Sequence, residues 1–384
     1  MSKEKLGGFT ESPKPKKEKI SRPGEKLKGF RAELWQRAKS VLTRLGFDLS
    51  ARETVGLEKE TVKKIKEIRN RNEEDKFLDL ELERGGENLR LRFIGQVDTK
   101  YDPDREKDYA TWDLTPREEA ERWLNREILV GEKINKFFSA GTISADSLVE
   151  YNRSRRVGEM FLLKKIKSAE KETEEYGEAE GRLLGQTLIN LQTGLNATAM
   201  IKEIMVENGI KTKLEMEQRI FEDYFDNFDG YMDNSRVILG DLNNEDIKEN
   251  LEAQMEKYRE TIEAGQLNKD EYAFVHGDVN LETARLSAGK MYLSDWRLSG
   301  KTQNRELAIV YDLGNAFNSA IENFDTAAQA EEFIRGAEKA VREHYKDQST
   351  AEAVIRLAKL RSFAMILNDL KGEKKDFVRQ ELGI

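Results

Sequence analysis

An α+β chain in two lobes, a small sheet-plus-helix unit followed by a larger and mainly helical one, is the class this sequence predicts. Three observations carry it. Charged residues make up 36% of the 384 and proline occurs only five times, with long stretches rich in Glu, Lys, Leu and Ala, a composition of helices more than of sandwiched sheets. Apolar and polar residues alternate on both sides of Gly85-Gly86, the period of paired strands. Beyond about Glu170 the pattern turns to long helical stretches, broken only by two short strand-like runs, YAFVHGD and KMYLSDW. With 38% hydrophobic residues and four Trp, the chain is long enough to bury a core in each lobe.

Residues 1–30 hold three of the prolines and many lysines, which predicts a disordered basic arm, either solvated or in contact with an acidic surface. Leu34, Ala38, Leu42 and Leu45 share one face of a predicted helix. The hairpin follows, with Phe77, Leu78, Leu80 and Leu82 before the glycines and Leu89, Leu91 and Phe93 after. Thr115-Pro116-Arg117-Glu118 has the form of a helix start, a capping Thr, a first-turn Pro and a capping-box Glu, and the helix runs on through EAERWLNREILVGEKINKFF. MFLLKKI, 160–166, is read as the strand joining the lobes, with the Lys164-Lys165 pair at the surface. The expected organisation is therefore a basic arm at 1–30, a first lobe at 31–166 and a helical lobe at 167–384.

The composition also excludes. No cysteine is present, so disulfides and thiolate chemistry are out, and two histidines leave no typical zinc set. The net charge of -8 disfavours wholesale nucleic-acid binding. No apolar run approaches the roughly eighteen residues of a membrane span, and the N-terminus lacks the apolar core of a signal peptide, so a cytoplasmic location is expected.

Asp278 and Asp295 each end a short apolar run, which predicts two strand ends that set carboxylates side by side. Such a pair can divide labour, one orienting or deprotonating a hydroxyl and the other holding Mg²⁺, a hard cation that takes one or two carboxylates plus substrate phosphates. An Asp at a strand end can equally be a plain turn residue. Gly300-Lys301-Thr302 looks like the end of a phosphate-binding loop, but that loop needs a glycine where Asp295 stands.

HGDVNLETARL followed by MYLSDWRLSGKTQNRELAIVYDLGNAF resembles the aminoglycoside phosphotransferase and choline kinase group of the protein-kinase-like fold. That pattern is His-Gly-Asp, four residues, Asn, then an apolar strand ending in Asp-Trp or Asp-Phe, and later Asp-Leu. GRLLGQTLINLQ and LNREILVGEKI extend the resemblance upstream, over roughly residues 70 to 370. It implies an ATP- and Mg²⁺-dependent phosphotransferase for a small-molecule hydroxyl. Asp278 would be the catalytic base, Asp295 and position 283 the metal ligands, and Glu127 the partner of a nucleotide-binding cation. His276 would brace the catalytic loop, and Asp312 would buttress it from a helix start, where an N-cap role is equally compatible. The acidic stretch from Glu215 to Asn234 could offer carboxylates and aromatics to a cationic acceptor, or be a solvated helix.

Two positions depart from the pattern. Thr283 stands where the family has Asn, with Asn280 out of register for the role, and the loss of an amide carbonyl weakens a second metal site. Arg90 and Arg92 stand where the family has a strand lysine, and Lys100 lies beyond the strand. Arg92 could grip a nucleotide phosphate, although a planar fork does not reproduce an ammonium point charge and a plain strand-face arginine has the same letters. These departures leave a competing expectation, a catalytically degenerate pseudokinase that binds nucleotide or serves as a scaffold.

Overall fold

The alternation about Gly85-Gly86 is realised as a hairpin in which β1 (Phe77–Arg84) and β2 (Glu87–Ile94) run antiparallel, Arg84 opposite Glu87. The computed structural model describes residues 77–84, 87–94, 116–137, 147–152, 161–165 and 175–384, the last without 194–195, 213–214, 217–219, 226 and 288. The basic arm, the helix expected at 34–45, Lys100 and the Thr115 cap lie outside the described residues. β3 (Ser147–Asn152) and β4 (Phe161–Lys165) complete an antiparallel sheet of order β1-β2-β4-β3. The strand expected at 160–166 is thus an inner strand. Its Phe161, Leu162 and Leu163 are buried, as are Leu89 and Leu91 of β2.

Helix α1 (Pro116–Phe137) begins at the first-turn proline, where the missing N–H has no helical partner to lose. It packs against β3 and β4 on one side and the helical lobe on the other. Trp123, Leu124, Ile128, Leu129, Val130 and Ile134 are buried along it, with Arg122, Arg126, Glu127 and Lys133 buried among them. Lys133 Nζ reaches Glu203 at 2.9 Å and Glu207 at 2.6 Å, tying α1 to the second lobe.

The second lobe is built from α2 (Glu178–Thr193), α3 (Ala197–Glu207), α4 (Phe228–Gly240), α5 (Glu245–Glu256), α6 (Arg259–Glu263), α7 (Arg305–Asn323), α8 (Ala327–His344), α9 (Gln348–Ile366) and α10 (Gly372–Leu382). Asn196, Asn227, Asn244, Asn304, Thr326 and Asp347 start six of these by accepting an orphan backbone N–H. Helices α2 and α8 lie so close that a Cβ on Gly181 would run into the Phe333 carbonyl, and one on Gly336 into that of Glu178. Between the helices sit a small sheet of order β5-β9-β6, from Glu222–Asp223, Gly300–Thr302 and Ala273–Val275, and a hairpin of β7 (Ala284–Ser287) with β8 (Lys290–Leu293). The α+β, two-lobed expectation is met. Among the described residues no helix is long and apolar enough to cross a membrane.

The acidic stretch from Glu215 to Asn234 contributes to the core of the second lobe. Phe221, Phe225, Phe228 and Tyr231 are core residues, and Asp229 pairs with Arg259 at 2.7 Å. Aromatic area of this size is worth more when removed from water than when displayed, which is why these four rings turn inward.

Candidate functional site

Strand β6 ends at Val275, and the chain turns at once through His276-Gly277-Asp278. The turn needs glycine, because residue 277 sits at φ +88 and a Cβ there would strike the Leu298 carbonyl oxygen and the Tyr224 hydroxyl. Asp312 holds the turn, its carboxylate accepting the backbone N–H groups of His276 and Gly277 at 2.9 Å each. Asn315 adds a third tie by donating to the Gly277 carbonyl at 3.0 Å. Asp312 stands in the middle of α7, not at a helix start. Asn304 caps that helix, so the N-cap alternative for Asp312 is corrected: the apolar run LAIVY had already entered the helix two turns earlier. Burial raises Asp312 to about 7 against the pull of those two N–H groups.

His276 is fully buried, and its ring lies 4.4 Å from that of Trp296. Its Nδ1 accepts the Asp278 N–H at 3.3 Å. Burial drives its pKa down to about 4, so it is neutral at physiological pH and is placed to brace the loop.

Past Asp278 the loop closes on itself. Thr283 Oγ1 donates to the Asp278 carbonyl at 2.7 Å and accepts the Asn280 N–H at 2.9 Å. Asn280 accepts the N–H groups of Glu282 and Thr283 and donates from Nδ2 to Asp278 Oδ1 at 2.9 Å. Both side chains that the sequence offered as a metal ligand are therefore spent on the turn, and Thr283 presents no oxygen aimed away from it. Asp278 remains partly accessible, its side chain 24% exposed. Burial raises its carboxyl above the ordinary range while Arg297 pulls the other way.

Strand β8 delivers Asp295 in the left-handed region, φ 67 and ψ 68, the one non-glycine with positive φ among the described residues. Such strain persists only where surroundings hold it, and here they are ionic. Arg92 of β2 grips Asp295 through two parallel bonds, Nη1 to Oδ1 and Nη2 to Oδ2, both 2.9 Å. The same Nη1 lies 2.6 Å from Glu127 Oε2 on α1. Lys164 of β4 takes the other oxygen of Glu127. Arg297 sits between the two aspartates, with Nε 3.2 Å from Asp295 Oδ1 and Nη2 3.5 Å from Asp278 Oδ2. Burial alone would raise Asp295, yet the Arg297 and Arg92 guanidiniums hold it well below the usual carboxylate range. Arg126, beside Glu127, donates to the Ile220 carbonyl at 2.5 Å and the Arg297 carbonyl at 2.7 Å, so α1 is clamped to the second lobe at the site itself.

Arg92, Glu127 and Asp295 thus meet directly, and Asp278 joins them through Arg297. Lys164 corrects the expectation of a surface lysine pair: it is 2% exposed and bonded to Glu127, while Lys165, one residue on, points outward to Glu87. Arg126 and Arg297 were not anticipated. The only trace of Arg297 in the sequence is its place two residues past Asp295, and a basic residue there is not by itself informative.

The donor set bears on Mg²⁺. Both oxygens of Asp295 are engaged by one guanidinium, a second guanidinium lies alongside, and Thr283 and Asn280 are turned inward. No group of three or more His, Asp or Glu able to hold a metal occurs among the described residues. A cation bound at Asp295 would face two positive side chains, so the residues present do not fit the ion.

No family model matches the chain, and no curated protein matches it. Among solved structures, it is similar to an amicoumacin kinase in complex with AMP-PNP, Ca²⁺ and Ami, at 12% identity over 92% of this chain and 94% of that one, TM-score 0.45. A choline/ethanolamine kinase family protein from Mesorhizobium loti matches at 13% identity over 90% and 92%, TM-score 0.41. An aminoglycoside phosphotransferase in ternary complex with AMP-PNP and hygromycin B matches at 11% identity over 84% and 93%, TM-score 0.46.

Proposed function

We propose that the chain is an ATP-dependent phosphotransferase acting on a hydroxyl of a small molecule, with Asp278 as the group that orients the acceptor and takes its proton. The observation that carries this reading is the joining of Asp278 and Asp295 through Arg297 at the meeting of the two lobes, with their environments driving the two carboxyls in opposite directions. A partly exposed carboxyl raised above its ordinary range by burial suits a proton acceptor, and a cationic wall suits the charge that spreads over a transferring phosphoryl group. In the reaction the acceptor oxygen bonds to the γ-phosphorus, the bridging β–γ bond breaks, ADP leaves, and the hydroxyl proton passes to Asp278 Oδ2 or Oδ1. No step is assigned to a metal.

A second reading, a nucleotide-binding module without turnover, is favoured by the bidentate grip of Arg92 on Asp295. ADP release measured against a panel of hydroxyl and amine acceptors separates the two. Acceptor-stimulated release that disappears in Asp278→Ala, in a variant with the wild-type melting temperature, supports the enzyme. Release at the background rate with every acceptor, alongside saturable ATP binding, favours the module.

A further inference from the structure

The cluster of Arg92, Lys164 and Arg297 is arranged in a way that the proposed activity does not by itself require. A strand lysine paired with Glu127 would be enough to face a nucleotide phosphate, and Lys164 already supplies that pairing from β4. Arg92, on the neighbouring strand and cross-strand from Leu162, is therefore a second cation at the same carboxylate, and its fork is turned onto Asp295. Arg297 is a third, within 3.5 Å of both aspartates. Two guanidiniums together carry the formal charge of one divalent ion, and they occupy the space around Asp295 from which such an ion would act.

We propose that Arg92 and Arg297 replace the divalent cation where the two lobes meet, so that a nucleoside triphosphate is bound here without any metal. This rests on the reading that the site takes a nucleotide. Guanidinium is the side chain suited to the task, since it keeps its positive charge at all physiological pH values while its fork is held by Asp295. Asp295 then acts as the holder of Arg92, not as a metal ligand. It fixes the plane of the fork by two equal bonds and is itself fixed in the left-handed region by β8 and the turn that follows. Metal entry would require that bond pair to break and would leave a buried guanidinium facing a dication, an arrangement that low-dielectric surroundings oppose strongly. The inward turn of Thr283 and Asn280 belongs to the same arrangement, because a site with no ion to hold can spend those oxygens on the loop.

The experiment is an ATP titration of the full chain followed by melting temperature, once in EDTA and once in saturating Mg²⁺ at equal ionic strength. The expected result is stabilisation in both, with apparent affinities within about threefold of each other. A gain of about tenfold or more on adding Mg²⁺ overturns the proposal and leaves the nucleotide reading standing. The absence of stabilisation in either condition removes the nucleotide reading, and the proposal with it. Arg92→Lys tests the cause: an ammonium cannot span both oxygens of Asp295, so ATP binding should become Mg²⁺-dependent. An R92K protein that folds and still binds ATP equally well in EDTA shows that Arg92 is not the substitute. If R92K does not fold, the wild-type comparison decides alone.

Discussion

Asp312 offers a sharp test because its effect on stability should depend on pH. The carboxyl is buried in the middle of α7, bonds two backbone N–H groups of the His276-Gly277 turn, and is raised from an ordinary 3.8 to about 7. A carboxyl whose folded pKa lies above its unfolded value holds its proton more tightly in the folded state. Its contribution is then fully present below the unfolded value and is lost as pH climbs through the folded one. Over roughly three pH units, at about 1.4 kcal/mol per unit, the wild type should lose on the order of 4 kcal/mol between pH 4 and pH 7 from this group alone. Asp312→Asn removes the titration but leaves one of the two N–H groups poorly served, at a cost of about 1–3 kcal/mol. The stability difference should thus swing in favour of the variant by on the order of 3 kcal/mol between pH 4.5 and pH 8, with the variant level with wild type or above it at pH 8. His276, lowered to about 4, contributes the opposite slope between pH 4 and 6.5, where the unfolded imidazole binds the extra proton; both proteins share this, so it cancels in the difference. Urea unfolding of the two proteins from pH 4.5 to 8 measures that difference. A gap that stays constant within about 0.5 kcal/mol would refute the burial argument for Asp312.

Three further outcomes follow from the same geometry. Gly277→Ala places a methyl against the Leu298 carbonyl in a left-handed backbone and should cost at least about 3 kcal/mol, seen as a lowered urea midpoint. Glu127→Leu removes an acceptor that Arg92 and Lys164 share, and the loss should reach about 3–5 kcal/mol; a loss under 1 kcal/mol would mean that the two cations are served elsewhere. Gly336→Leu should force α8 away from α2 and abolish a cooperative melt, whereas Gly240→Ala, whose Cβ meets nothing, should leave the melting temperature within a few degrees.

Much of the frame was legible in the letters. The hairpin about Gly85-Gly86, the helix from Pro116, and the strand ends at Val275 and Leu293 come from local signals, a turn, a cap and an apolar run that stops at Asp. The turn ties of Asp312 depend on a register that α7 sets. LAIVY reads as easily as a strand as it does as a fully buried helix segment, so a cap at Asp312 looked natural while the true cap, Asn304, lay eight residues before it. The role of Lys164 was hidden because Phe161-Leu162-Leu163 is buried on both faces, so no alternation marks which of Lys164 and Lys165 turns inward. What decides is the pairing of β4 with β2 and the approach of α1, contacts that are remote in sequence. The aromatic residues at 221–231 were ambiguous for the same reason, since the pattern of a core helix and that of a ligand face use the same spacing.

A structure of the chain with a non-hydrolysable ATP analogue, grown in EDTA, bears most directly on the account. The γ-phosphate should lie within hydrogen-bond reach of the Arg92 or Arg297 guanidinium, with Asp278 facing its open side and no metal between phosphate and Asp295. An analogue bound away from Asp278 and Asp295, or triphosphate oxygens that reach neither arginine, would contradict it.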